Sequence, residues 1–155
     1  MTDTESVAIE SRRGGLVWLP LAAALVALVG LADSIYLTVH HYTAAPVPCS
    51  IIEGCETVLA SPYSEIAGVP LAAFGGLAYF AAFSLALLAA FGDGRMWLFF
   101  GILVVLMGLF TSWLIYLQAA VIGAFCQFCL LSAATTFTLL IIYGISRLSA
   151  RNRPL

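Results

Sequence analysis

The sequence predicts an all-α integral membrane protein, a four-transmembrane-helix bundle with a long extracytoplasmic loop and a short surface helix. Hydrophobic residues make up 63 % of the 155 residues and charged residues 9 %, whereas a soluble domain carries about 25 % charged residues. The mean hydropathy is +1.07, which excludes a water-soluble enzyme and a disordered chain. The net charge is −2, so the chain also lacks the basic surface that a nucleic-acid-binding protein needs.

Each predicted membrane helix follows from an apolar segment of about 20 residues, the length that a bilayer-crossing helix requires. The second segment opens with Pro70, which a helix tolerates in its first turn. Asp33 is the one formally charged residue inside these segments. The segments are residues 16–37, 70–91, 96–117 and 126–145, and they define a membrane domain over 16–147 between tails at 1–15 and 148–155.

The arginines predict which way the helices point, because basic residues accumulate in cytoplasmic loops and tails. An even number of spans places both tails on the cytoplasmic side of the inner (plasma) membrane, and the loops at about 38–69 and 118–125 on the other. The first span also resembles a signal peptide, but its length and its flanking aromatics Trp18 and Tyr36 favour a retained helix. The six arginines all fall on the cytoplasmic face: Arg12, Arg13, Arg95, Arg147, Arg151 and Arg153.

Four cysteines fall at the extracytoplasmic ends of the predicted spans, where disulfides persist. Cys49 and Cys55 lie in the long loop, and Cys126 and Cys129 form Cys-Gln-Phe-Cys at the start of the fourth span. Residues i and i+3 share one face of a helix, and free N–H groups in the first turn favour a thiolate at Cys126. Cys129 lies one turn deeper, at a depth that suits contact with a lipid-soluble electron acceptor.

The two pairs together indicate a relay, in which the loop pair accepts electrons from an outside protein and passes them to the buried pair. Two alternatives use the same residues. The pairs could be structural disulfides that staple the outer loop, or a zinc site, for which the five-residue gap between Cys49 and Cys55 is wide.

The motifs resemble those of the vitamin K epoxide reductase family, in its bacterial single-domain form. The matching residues are Asp33-Ser34-Ile35-Tyr36-Leu37-Thr38, Cys49, the run from Cys55 to Ser64, Gly68-Val69-Pro70, and Cys126-Gln127-Phe128-Cys129. They extend from the first span to the fourth. A DsbB-like oxidant is a related alternative, but there the Cys-x-x-Cys pair follows the first span.

The resemblance implies a bundle around a quinone, menaquinone or ubiquinone, served by a separate DsbA-like thioredoxin-fold partner. It implies that Cys129 faces the quinone, that Cys126 exchanges disulfides, and that Cys49 and Cys55 form the shuttle pair. Ser61 is then expected near the quinone or the loop, and Phe74 and Tyr79 in the wall of the quinone site. Leu71 and Ala133 stand where vertebrate members hold the vitamin K oxygen with Asn and Tyr, which weakens the case for epoxide reduction but not for quinone reduction.

The long loop predicts one further helix, and the end of the first span and the start of this loop hold candidate proton donors. Ser61-Pro62 reads as an N-cap followed by Pro at the first helical position, which predicts a short surface helix to about Ala67, ended by Gly68. Because reduction of a quinone consumes two protons, Asp33, His40 and His41 are candidate donors. The alternatives are that Asp33 snorkels to the membrane surface or forms a local hydrogen bond with Ser34 or Tyr36, and that the two histidines are solvated interface residues.

Overall fold

The computed structural model describes residues 3–43, 47–49 and 54–151, with side chains described from Trp18 onward. Within these ranges four helices are long and apolar enough to cross a membrane, which confirms the prediction of four spans. The elements are helix α1 (Asp3–Thr43), helix α2 (Cys55–Leu59), strands β1 (Glu65–Ile66) and β2 (Val69–Pro70), and helices α3 (Leu71–Ala90), α4 (Gly94–Tyr116) and α5 (Gln127–Arg151).

The membrane-length helices close into a ring. Helix α1 packs against α3 and α5, α4 packs against α3 and α5, and the core lies between them. Small side chains let the backbones approach closely, and large apolar side chains on the outside of the ring are exposed, as lipid-facing residues are. The buried core residues are Ala23, Ala24, Ala27, Tyr79, Ala82, Ala86, Phe100, Val104 and Leu139.

Helix α4 does not stop where its apolar segment was predicted to end. It continues as a six-residue π-helix, Leu117–Ile122, and Gly123 then ends the helix in the left-handed conformation with φ 70°. The predicted loop at 118–125 is therefore mostly helical. A π-turn widens the helix, and here it turns buried Gln118 toward the start of α5.

The helix predicted after Ser61 is wrong. Residues 62–64 form turns, and 65–70 form a two-stranded antiparallel hairpin in which Glu65 pairs with Pro70. The Ser61 hydroxyl donates to the Val58 carbonyl at 2.7 Å, so it closes helix α2 instead of capping a new helix. Ala67 has a φ of 54° and Gly68 a φ of 79°, a pair of left-handed residues that makes a tight hairpin turn. The short helix of this loop is α2.

Helix α2 and the hairpin form a cap, residues 54–70, over one end of the ring. The side chain of His41, in the last turn of α1, lies 3.3 Å (Nε2 to Oε1) from the carboxylate of Glu65 in the hairpin. Backbone bonds link the segments of the cap, with the Leu71 N–H donating to the Ser64 carbonyl at 2.8 Å. This end of the ring, which also includes the start of α5, is called the cysteine end below.

Candidate functional site

The two cysteine pairs come together at the cysteine end. Cys49 and Cys55 are joined in a disulfide, with their Cα atoms 6.3 Å apart, while Cys126 and Cys129 are free thiols. All four belong to one apolar cluster beneath the cap, in which Cys55 and Cys126 are fully buried and Cys49 and Cys129 are partly buried. The loop disulfide and the free pair are therefore neighbours in one water-poor environment.

A glycine permits this approach. Gly54, immediately before Cys55, has a φ of 146°, a region that L side chains rarely adopt. A Cβ atom at this position would lie 2.9 Å from the carbonyl oxygen of Phe125, just before Cys126. Because glycine has no Cβ, the chain entering α2 can rest against the chain entering α5.

Cys126 lies at the N-cap of α5, one residue before the predicted first turn. Its carbonyl accepts the N–H of Leu130 at 3.0 Å, the first bond of the helix. Its own N–H donates to the side-chain oxygen of Gln118 at 3.1 Å. Sequence reasoning missed Gln118, although a lone amide in the apolar stretch before the Cys-x-x-Cys pair was a usable signal, since a buried polar group needs a partner.

The surroundings of Cys126 favour its thiolate. A hydrogen bond with the Cys129 thiol lowers the pKa of Cys126 to about 7, against burial, which raises it. The backbone N–H groups of Cys129 and Phe128 lower this pKa further. At neutral pH Cys126 is thus poised as the attacking or leaving sulfur in disulfide exchange.

A cavity of about 230 Å³ lies inside the ring under the cap. Its walls are mostly apolar, and of the four cysteines Cys129 alone borders it. Pockets that hold whole drug-sized molecules measure roughly 300–1,000 Å³, so this cavity has room for a single ring-sized group. The residues expected from the sequence to contact a quinone, Ser61, Phe74, Tyr79 and Cys129, all border this cavity, as do Leu71 and Ala133.

Tyr79 ties the cavity wall together. Its hydroxyl lies within 2.7–3.0 Å of the carbonyl and hydroxyl oxygens of Ser132 and of the hydroxyls of Thr135 and Thr136, all on α5. Its ring fills the space that a side chain at Gly30 would need. Because the Tyr79 hydroxyl is hydrogen-bonded to helix α5, the part of Tyr79 left to contact a molecule in the cavity is its aromatic ring.

The other polar groups of the cavity differ in how well they are partnered. The Ser61 hydroxyl donates to Val58, and His41 reaches Glu65. Asp33 borders the cavity and is buried, yet neither of its carboxylate oxygens has a hydrogen-bond partner among the described residues. The local bond from Asp33 to Ser34 or Tyr36, the alternative drawn from the sequence, does not form.

The arrangement bears on the alternative roles for the cysteines. Within the described ranges no three His, Cys, Asp or Glu side chains are grouped so that they could hold a metal ion. Cys126 and Cys129 form a dithiol beside the Cys49–Cys55 disulfide, and disulfide exchange between a dithiol and a neighbouring disulfide is possible.

Comparison with known protein families gives one match. A family model described as the Vitamin K epoxide reductase family matches residues 21–143. The matched region is more than half of the chain, and it contains all four cysteines, the cap, the whole of α3 and α4, and parts of α1 and α5.

Proposed function

This chain belongs to the vitamin K epoxide reductase family, and from that premise we propose that it oxidises a separate DsbA-like thioredoxin-fold protein and passes the electrons to a membrane quinone. The family makes it a multi-pass membrane thiol oxidoreductase. The proposal adds the direction of electron flow, the electron acceptor and the protein partner, with the cysteine end facing the extracytoplasmic side of the inner membrane.

The observation that carries this proposal is the order of the cysteines from the surface to the cavity. Partly exposed Cys49 is bonded to buried Cys55, Cys55 shares a cluster with Cys126, and Cys129 borders the cavity. The loop pair thus lies between the surface and the inner pair, and the inner pair lies between the loop pair and the cavity, which is the order that the proposed electron flow requires.

The relay consists of two disulfide exchanges. A thiolate of the reduced partner attacks Cys49, and the partner's second thiol then releases both loop cysteines as a dithiol while the partner becomes oxidised. Cys55, buried beside Cys126, next attacks Cys126 of the oxidised inner pair and frees Cys129. Cys49 resolves the mixed disulfide, which restores the loop disulfide and leaves Cys126 and Cys129 reduced, the state described above.

The cavity fits the head group of a quinone, because it is ring-sized, mostly apolar and bordered by the inner thiol and by an unpartnered acid. A bound quinone supplies an acceptor for two electrons and two protons. Ser61, Phe74 and Tyr79, which all border the cavity, would hold its head group. The difference in reduction potential between the cysteine pairs and the acceptor sets the direction of electron flow. For a dithiol couple, a tenfold change in the equilibrium constant corresponds to about 30 mV.

The test is anaerobic mixing of the purified full-length protein, a reduced DsbA-like protein and ubiquinone, with quinol formation followed by absorbance. We expect one quinol for each disulfide formed in the partner. Cys126→Ala and Cys129→Ala should each abolish turnover, whereas Ser112→Ala, whose hydroxyl bonds only to its own helix at Gly108, should not. Quinol formation that survives in Cys129→Ala would refute the relay.

A further inference from the structure

Asp33 is a buried acid that the relay leaves unused. Its side chain is 7 % exposed, and both carboxylate oxygens lack a hydrogen-bond partner among the described residues. An unpaired buried carboxylate is strongly unfavourable, whereas the uncharged carboxylic acid costs much less to bury. Ionisable residues inside membrane helices are therefore kept for function more often than for packing.

The position of Asp33 connects the thiols with the cavity. It borders the same cavity as Cys129, and it lies close enough to Cys126 and Cys129 to interact with both electrostatically. It also borders a shallow groove on the outside of the ring, between α1 and α5, together with Tyr36 and Phe128. No other carboxylate borders the cavity among the described residues.

Oxidation of the inner pair releases protons as well as electrons. When the Cys126–Cys129 disulfide forms, two S–H bonds are lost, and two electrons and two protons must leave the sulfurs. Electrons can pass between groups in contact, but in a dry cavity a proton needs a group that can both give and take it. A neutral carboxylic acid with free oxygens on the cavity wall has this ability.

We propose that Asp33 carries one proton between the inner thiol pair and the acceptor bound in the cavity, an inference that rests on the proposed quinone reduction. As the acid, Asp33 gives its proton to a reduced acceptor oxygen, and as the carboxylate it recovers a proton from the Cys129 thiol. Two electrons from the sulfurs reduce the acceptor, the other thiol proton leaves to water at the cysteine end, water supplies the second proton of the reduced acceptor, and Asp33 ends each turnover protonated, as it began.

The experiment compares Asp33→Asn, which keeps the shape of the side chain but cannot transfer a proton, with Asp33→Glu, which can. The matched control is Asp93→Asn, the same substitution at the exposed N-cap of α4. Each full-length protein, with Cys126 and Cys129 reduced, is mixed anaerobically with short-tailed ubiquinone-1. Quinol formation, ubiquinone-1 binding by tryptophan fluorescence, and the infrared carboxylic-acid C=O band are recorded.

We expect Asp33→Asn to slow quinol formation about 10²–10⁴-fold, the usual range for losing a positioned acid or base. Its ubiquinone-1 affinity should stay within about threefold of the parent, because proton transfer and binding are separate steps. Asp33→Glu should retain at least about a tenth of the parental rate, and Asp93→Asn should be unchanged. The parent should show a carboxylic-acid band that changes on oxidation of the thiols, shifts in Asp33→Glu and is missing in Asp33→Asn.

Other outcomes separate the hypotheses. An unchanged quinol rate in Asp33→Asn would overturn the proton role while leaving quinone reduction intact, and a more than tenfold loss of ubiquinone-1 affinity would replace that role with one in binding. If Asp33→Asn does not fold, an infrared band that fails to shift in Asp33→Glu overturns the inference. A parent protein that forms no quinol overturns both this inference and the proposed function.

Discussion

Replacing Cys129 with alanine should change the titration of Cys126, because the Cys129 thiol is the strongest influence that lowers the pKa of Cys126. That pKa is about 7, against an ordinary thiol value of 9.0. Without the hydrogen bond, burial still raises the pKa, and only the backbone N–H groups at residues 128 and 129 oppose it. The pKa of Cys126 in Cys129→Ala should therefore return toward 9.0.

The expected change in reactivity follows from two opposing effects. At pH 7 a shift in pKa from about 7 to about 9 reduces the thiolate fraction from about one half to about 1 %, roughly 50-fold. The thiolate with the higher pKa is the better nucleophile, with a Brønsted coefficient of about 0.4–0.5, which restores roughly 6–10-fold. The net effect is an alkylation rate about 5–8-fold lower at pH 7 and about 6–9-fold higher at pH 10.

The assay measures alkylation of Cys126 by iodoacetamide from pH 5 to pH 10 in reduced protein, localised by mass spectrometry of the digested chain. Both proteins carry Cys49→Ala and Cys55→Ala, so the loop pair does not compete, and they differ only at Cys129. Because burial slows the reagent equally in both, the two pH profiles should cross between pH 7 and pH 10. Parallel profiles with the same midpoint would refute the assignment of the low pKa to the Cys129 hydrogen bond.

Two substitutions test the contacts that shape the site. Tyr79→Phe should lower the free energy of unfolding by about 1–2 kcal/mol in a denaturation titration, since one to two buried hydroxyl bonds are lost. Tyr116→Phe is the control, because this side chain is 57 % exposed and its loss of a hydroxyl should change nothing. A Tyr79→Phe protein as stable as the parent would contradict the packing role of the Tyr79 hydroxyl. Gly54→Ala should slow disulfide exchange between the two cysteine pairs at least about tenfold, because its Cβ would meet the Phe125 carbonyl. Gly92→Ala, also at a positive φ but with open space around its Cβ, should leave this exchange unchanged, and a normal exchange rate in Gly54→Ala would contradict the steric role of Gly54.

The sequence was most informative where one physical force dominates. Hydropathy determined that four segments form membrane-length helices, because in a bilayer each backbone polar group must find a partner within the segment. The ends of those helices were less predictable. Helix α1 continues to Thr43 and α4 runs through a π-turn to Ile122, since tertiary contacts decide the last turns. The π-turn directs Gln118 to the N–H of Cys126, a pairing between residues that no local pattern joins.

The error at Ser61 has a similar origin. Ser-Pro is a good start for a helix, but the same hydroxyl can also donate to a carbonyl three residues earlier. Here it bonds to Val58 and closes α2, and Gly68 beside Ala67 then turns the chain into a hairpin. The sequence singled out residues that border the cavity, including Ser61 and Tyr79, but not that the hydroxyl of Tyr79 would be occupied by helix α5.

The first turn of helix α5 holds two cysteines whose surroundings differ in chemically useful ways. Disulfide exchange needs a thiolate, which is stabilised by N–H groups, and Cys126 has these at the N-cap of α5. The proposed delivery of electrons to a lipid-soluble acceptor needs an apolar cavity, and Cys129 borders one. Because residues i and i+3 share one helix face, a single Cys-x-x-Cys pair can meet both requirements at once. The same spacing divides the roles within the cluster: Cys126 lies buried beside Cys55, whereas Cys129, which also packs against this cluster, is the cysteine that borders the cavity.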